Sequence, residues 1–454
     1  MLDNESFRLQ EQTQSAIGDL AELACSMHYA ALPPTVRKRL PLLLTDLFGV
    51  TVAGMRTPEM QALVRSWSCA PGDVPVPGTQ IRTVPETSAF LSAVAACVLE
   101  LDEGNKYAAG HPAAHVVFAA VAATHLSGED VSGERFLTAV AMGYEVAARF
   151  GMATRRNPEW HTHGHWGATG AACASALILG ATRAQLAAAI DASTGLMQVT
   201  PWATVLSGDF TRNLWLAGAN LAGLNAARLA VAGLVDNLGG AQHSLGSIVG
   251  ALDPAALVKD LGIRWLTAEG YLKRHASCSY THAAIDLVQS LNAERAWNPE
   301  EIAGVRVATH SLAKPLLDRH PQNRLAAMFS LPFVVSNAVV NGRVDPLTMQ
   351  PGTQAFEAAE AFSDRVQVEI HEAYDAYLPD LRCADVTIDF TDGSHLGLAQ
   401  SNPIGDAQHF PLMAADVDAK LATLIGADAT EQISRTVTRL ANATSFTEVQ
   451  RGLP

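Results

Sequence analysis

Two runs of small residues constrain this chain more than any other feature. Small residues crowd GATGAACASA (167–176) and LAGANLAGLNAARLA (216–230), and the first carries no large side chain on any face of a helix. A helix that is apolar and small all round has no polar face to show water, so it must be enclosed by other helices whose backbones approach closely. Such a segment predicts a thick helical body with a buried central helix. The longest apolar stretch, GAACASALILGA (170–181), is too short to span a bilayer, so the expected surroundings are protein and not lipid.

Helical periodicity continues on both sides of these runs. The patterning predicts helices over 15–30, 34–54 (fresh after Pro33-Pro34), 86–100, Pro112 to 126, 130–151, 167–181, 183–195, 211–234 and 241–250. After about residue 270 the grammar changes. Residues 304–310, 365–371 and 383–390 alternate as strands do, and Thr391-Asp392-Gly393-Ser394 supplies a turn into HLGLAQ (395–400). Helices are expected between them at 281–293, 324–341 and 352–362, and the tail 411–448 reads as helical again. The expected fold class is therefore mainly α: a large all-helical domain (1–270, with 408–454 returning to it) and a smaller α+β lid domain (271–407) inserted before the return.

With 48% hydrophobic and 17% charged residues the chain can bury a large core. Forty-five acidic against 31 basic residues give a net charge of −14, and no Lys/Arg-rich run occurs. Nucleic acid and membrane are thus not expected as partners. The six cysteines lack CxxC spacing and read as free thiols of a reducing compartment. The polar N-terminus MLDNESFRLQEQTQ is unlike a targeting peptide, and a cytoplasmic location is expected.

Four segments set unusual polar groups into apolar surroundings. Glu100-Leu101-Asp102-Glu103-Gly104-Asn105 closes an apolar helix and is followed by His111-Pro112. Three acids crowded there repel, which raises the pKa of at least one. The alternative is a solvated helix end. His115 reads as packed. HTHGHWG (161–167) places three imidazoles in five residues, suited to proton transfer or to a metal. Zinc needs three or four converging ligands, and neither HExxH nor a nearby Cys pair is present, so no metal is assigned. Arg212 lies in the first turn of a long helix, where an anion site can form; pairing with a surface carboxylate is the alternative. Finally, KRHASCSYTH (273–282) gathers Lys273, Arg274, His275, Cys278 and His282 ahead of an apolar helix.

Taken in order, ELDEGN…HP, WHTHGHWGATGAA, FTRNLW, KRHASCSYTHAAID and AAMFSLPF resemble the MmgE/PrpD family, which includes 2-methylcitrate dehydratase, cis-aconitate decarboxylase and iminodisuccinate epimerase. LPPTVRKRLPLLLTDLFGVTVAG (32–54), VTIDFTDG (386–393) and NPIGD (402–406) extend the similarity over nearly the whole chain. The resemblance implies a helical domain with an α+β lid, a site between them, a homodimer, and chemistry without metal or organic cofactor. It sets Glu100 on the first acid of the family's DFDDT motif, Asp102 and Glu103 on its later acids, and His111 on the His of its HPS motif. It sets His161 on the histidine near the reacting carbon and Lys273 on the lysine that opens the KPYPCCRYTH-like segment. Arg212 stands where a lysine is usual. Departures fall at Cys97, Glu100, Gly104, the stretch Thr162 to His165, Trp215 and Phe333.

Proton removal beside a carboxylate needs a base and preorganised cations. The expected function is a cofactor-independent, dehydratase-type lyase acting on a small di- or tricarboxylate. His161 is the leading proton shuttle, with Lys273, His111, Asp102 and Glu100 also catalytic. Arg212, Arg274, His163, Cys278 and His282 are expected to bind substrate. An epimerase using His161 and Lys273 on opposite faces, a decarboxylase, a zinc hydrolase and a non-catalytic binding protein stay open.

Overall fold

The computed structural model describes residues 4–454. The first part of the chain forms α1 (Asn4–Ser26), α2 (Pro34–Met55), α3 (Pro58–Trp67), the hairpin strands β1 (Pro71–Pro75) and β2 (Arg82–Thr83), and α4 (Pro85–Cys97). Next come α5 (Pro112–Leu126), α6 (Gly133–Ala153), β3 (Thr154–Arg156), α7 (Gly167–Ile178), α8 (Arg183–Thr194), the short α9 (Trp202–Leu206) and α10 (Thr211–Val231). Prolines at the first turn start α2, α3, α4 and α5, where the missing N–H is no loss.

The small-residue helix α7 is the centre of this body, packed against α5, α6, α8 and α10. Its composition has a steric reason. A Cβ on Gly170 would lie 2.2 Å from the Gly143 carbonyl oxygen of α6, and one on Gly223 of α10 would lie 2.5 Å from the Ala172 nitrogen. Backbones this close admit only hydrogen at those positions.

The second part contains α11 (Ala241–His243), which runs into a π-helical turn, β4 (Gly250–Leu252), α12 (Pro254–Val258), α13 (His282–Glu294), β5 (Ile302–Thr309), α14 (Arg324–Met328), α15 (Leu331–Asn341) and α16 (Gln354–Phe362). Strands β6 (Val366–Ile370), β7 (Ala384–Phe390) and β8 (His395–Gln400) join β5 in one sheet of order β6-β5-β7-β8, with only β5 and β6 parallel. β7 buries every second residue, with α13 and α15 packed on the sheet. The hairpin turn falls at 391–394, where Gly393 has φ +86°. The chain closes with α17 (Ala414–Ile425), α18 (Ala427–Arg439) and α19 (Phe446–Gln450); α17 and α18 lie against α2.

The architecture is mainly α, as the patterning predicts. Several details differ. The expected helix 324–341 is cut after Met328, because Pro332 cannot supply the N–H that a continuous helix needs; Ser330 caps the new start by accepting from Phe333 N. The expected helix 241–250 is a short turn followed by a π turn. The strands β3 and β4, three residues each, were too short to register as alternation. Among the described residues no helix is long and apolar enough to cross a membrane.

Candidate functional site

The acidic loop leaves α4 through a tight turn in which Glu100 N bonds to Cys97 O (3.1 Å) and Glu100 itself takes φ +50°. Gly104 then pairs with Tyr271 in both directions, N to O at 3.1 and 2.7 Å. A Cβ on Gly104 would stand 2.2 Å from the Tyr271 hydroxyl, which explains a glycine here. This bridge brings the 271–273 segment under the acids. Lys273 Nζ donates to Glu100 Oε1 (2.7 Å) and to its carbonyl (3.1 Å). From the first turn of α10, Arg212 Nη2 donates to the other carboxylate oxygen and Nη1 to Cys97 O (3.2 Å).

The three neighbouring acids take different partners and diverge. Burial alone would raise the Glu100 carboxyl, but Arg212, Lys273 and His111 outweigh it and hold it below the usual range. Asp102 Oδ2 meets His111 Nδ1 at 2.7 Å; burial pushes its carboxyl up. Glu103 accepts from Ala113 N (2.6 Å) and the Tyr144 hydroxyl (3.0 Å), and burial drives it to about 8. Lys273 and Arg212 stay charged: burial disfavours both cations, and Glu100 more than restores them.

Five imidazoles pack around this loop, and their hydrogen bonds fix most tautomers. His115 donates from Nδ1 to His111 O (2.7 Å) and accepts from Gly164 N at Nε2 (3.4 Å), so both nitrogens are occupied. Thr200 gives its proton to His161 O (3.0 Å), so the 2.6 Å contact from His165 Nε2 to Thr200 Oγ1 requires the proton on His165. His161 Nδ1 accepts from His163 N (3.3 Å), which leaves the proton of the neutral ring on Nε2. His163 stands edge-on to His111 and His161, each 4.5 Å between centroids. Burial keeps all five below the ordinary histidine value, His115 at about 4 and His165 at about 3.

A narrow cavity opens onto this cluster. The helical part contributes Glu100, His111, Arg156, His161, His163 and Trp202; Tyr271, Cys278, Ser279, Tyr280 and Phe329 close the other side. The walls stand close together, with a cavity of only about 20 Å³ between them. Burial pushes the Cys278 thiol up to about 11, which makes it a neutral wall and not a thiolate nucleophile.

Of the residues expected at the site, Glu100, His111, His161, His163 and Cys278 line the cavity, while Asp102, Lys273 and Arg212 stand directly behind Glu100 and His111. Arg274 and His282 are not brought there. Arg274 pairs with Asp286 (3.1 Å) and faces a separate groove, because α13 offers that acid closer at hand. His282 donates to Ser277 O (3.1 Å) at the start of α13. The sequence reading passed over Arg156, Trp202, Tyr271, Tyr280 and Phe329. Phe329 had a legible signal in the Ser-Leu-Pro break; Arg156, in a three-residue strand, had none.

Glu100, Asp102 and His111 offer ligand atoms within 4.8 Å of one another. The donor set suits a metal poorly, since both Glu100 oxygens are held by cations and His111 Nδ1 is engaged by Asp102. A dication there would have to displace an ammonium and a guanidinium.

A comparison with curated proteins finds no match. The MmgE/PrpD N-terminal domain matches residues 18–239, from α1 to beyond α10, and so covers the acidic loop and the histidine cluster. The MmgE/PrpD C-terminal domain matches residues 275–442, which include the sheet and α17 and α18. Together the two matches take in most of the chain and nearly every cavity-lining residue, so this chain belongs to the MmgE/PrpD family, a family of dehydratase-type enzymes.

Proposed function

We propose that the protein is a cofactor-independent lyase that removes a proton beside a carboxylate of a small di- or tricarboxylic acid and expels a β-hydroxyl as water. The observation that carries this reading is the 2.7 Å contact between buried Asp102 and His111 Nδ1. With Nδ1–H directed at Asp102, the Nε2 lone pair of His111 is left for the cavity, 3.6 Å from Glu100 Oε1. Burial keeps this imidazole neutral at neutral pH, ready to accept a proton; Asp102 and Glu100 then stabilise the imidazolium. His161 takes a different part from the leading shuttle expected of it. Its Nε2–H is a neutral donor for the charge that builds on the substrate carboxylate. His111 takes the α-proton, the C–O bond breaks, and the same imidazolium gives the proton to the departing hydroxide, so the enzyme ends as it began.

Lys273, tied through Nζ to Glu100, is poorly disposed to act as the second base of an epimerase. The deciding experiment incubates the protein with citrate-like, aconitate-like and aspartate-derived acids in deuterated water under NMR. Appearance of an alkene with loss of water supports the lyase. Deuterium uptake without elimination indicates epimerisation, release of CO₂ a decarboxylase, and binding without any turnover a non-catalytic protein.

A further inference from the structure

The four cations nearest the cavity differ in what their donors already hold. Lys273 and Arg212 share the single carboxylate of Glu100, and neither lines the cavity. Arg382 donates to Ser279 Oγ (2.9 Å) and Lys106 O (3.3 Å), lies over the rings of Tyr271 and Tyr280, and does not line the cavity. Arg156 is different. It lines the cavity, donates through Nε to Trp160 O (2.6 Å), and among the described residues its two terminal nitrogens have neither a hydrogen-bond nor an ion-pair partner. Burial without an anion disfavours its charged form.

This placement is built into the fold. Alternation along β3 turns Arg155 outward and Arg156 inward, and pairing with β4 fixes the strand, Arg156 opposite Gly250. The Nε bond to Trp160 O orients the guanidinium and leaves one N–H of each terminal nitrogen side by side at its free end, the geometry that takes a carboxylate through two parallel hydrogen bonds.

We propose that Arg156 anchors a second carboxylate of the substrate, remote from the carbon at which His111 acts, and thereby selects dicarboxylic over monocarboxylic acids. The assignment rests on the lyase reading only in taking this cavity as the substrate site. Trp202 and Phe329, edge-on to His161 at 4.6 and 6.3 Å, give the stretch between the two carboxylates an aromatic wall.

The test compares binding of succinate with butyrate, an acid of equal chain length that lacks the second carboxylate, by calorimetry on the full chain. Wild type binds succinate about tenfold or more tightly than butyrate, the worth of a charge-assisted pair. Arg156→Gln abolishes that preference, and Arg156→Lys keeps part of it. Thermal melting confirms that the variants are folded. Failure of wild type to prefer succinate, a preference that survives Arg156→Gln, or equal weakening of both acids overturns the assignment. Because no turnover is read, the anchor can stand where the lyase reading fails: discrimination by Arg156 together with no elimination from any acid would separate the two.

Discussion

Substituting Asp102 by Asn tests the proposed base directly, because stability and activity are expected to move in opposite senses. Asp102 is fully buried, one carboxylate oxygen faces His111 Nδ1, and the other has no hydrogen-bond partner. Its folded pKa is raised, so its ionised form is disfavoured by folding, at a cost that begins above the unfolded value near 3.8 and grows as pH rises toward the folded value. A neutral amide removes that cost, so the melting temperature at neutral pH should equal or exceed that of wild type. Activity should collapse. If the amide oxygen accepts from Nδ1–H, only the negative charge behind the imidazolium is lost, a penalty of about 10² in kcat. If the amide NH₂ donates instead, His111 is forced into the Nε2–H form and the base is gone, a penalty of about 10⁴. The expected window is thus roughly 3 to 5.5 kcal/mol of barrier. Turnover of the acid identified by the deuterium screen gives kcat, and a thermal melt gives stability. A kcat within tenfold of wild type refutes the His111–Asp102 base, and a large drop in melting temperature refutes the ionisation cost assigned to buried Asp102.

Glu100→Gln leaves the Lys273 ammonium and the Arg212 guanidinium buried without their shared anion, and chemical denaturation should show a loss of about 3–5 kcal/mol. Acidification should destabilise the fold below about pH 6.5: unfolded histidines take up protons there and the buried ones do not, so stability falls from that value downward. His115 (about 4) and His165 (about 3) alone should each withdraw roughly 2 kcal/mol by pH 5, measured as denaturation midpoints against pH. Gly170→Ala drives a methyl group onto the Gly143 carbonyl and should cost at least about 1–3 kcal/mol in a thermal melt, although Ala is the better helix former.

The helical body was legible because its packing is written in composition: no surface helix could consist of GATGAACASA, and α7 is enclosed as that demands. The acids at 100–103, His111 and the 161–165 imidazoles were legible because ionisable groups in apolar contexts need partners. What could not be read was which partner each would take. Arg274 and Lys273 are adjacent in sequence and equally cationic. The Gly104–Tyr271 bridge turns one toward Glu100, while Asp286 draws the other to a different groove. Arg156 was invisible for a related reason. It depends on a three-residue strand whose partner, β4, lies almost a hundred residues later, and no local periodicity encodes such a pairing.

The left-handed turn at Glu100 explains how one short loop can hold acids of opposite character. A non-glycine residue at φ +50° carries roughly 1–3 kcal/mol of backbone strain, and the ion pairs to Lys273 and Arg212 hold it in place. Had the chain left α4 in an ordinary extended conformation, the side chains of 100 and 102 would point to the same side and compete for the same cations. The turn sends Glu100 to the cations and keeps Asp102 for His111, while Glu103 goes to Ala113 N and Tyr144. Their proton affinities separate accordingly, one lowered and two raised. Asp102 and His111 are the acid and imidazole in contact whose affinities burial pushes apart, the acid's raised and the imidazole's lowered. Among the imidazoles, His115 has both nitrogens engaged and the neutral His161 ring keeps its remaining nitrogen as a donor. His163 and His165 retain an unpartnered Nδ1, but neither has an acid against its ring, which is why the proposed reaction assigns proton acceptance to His111.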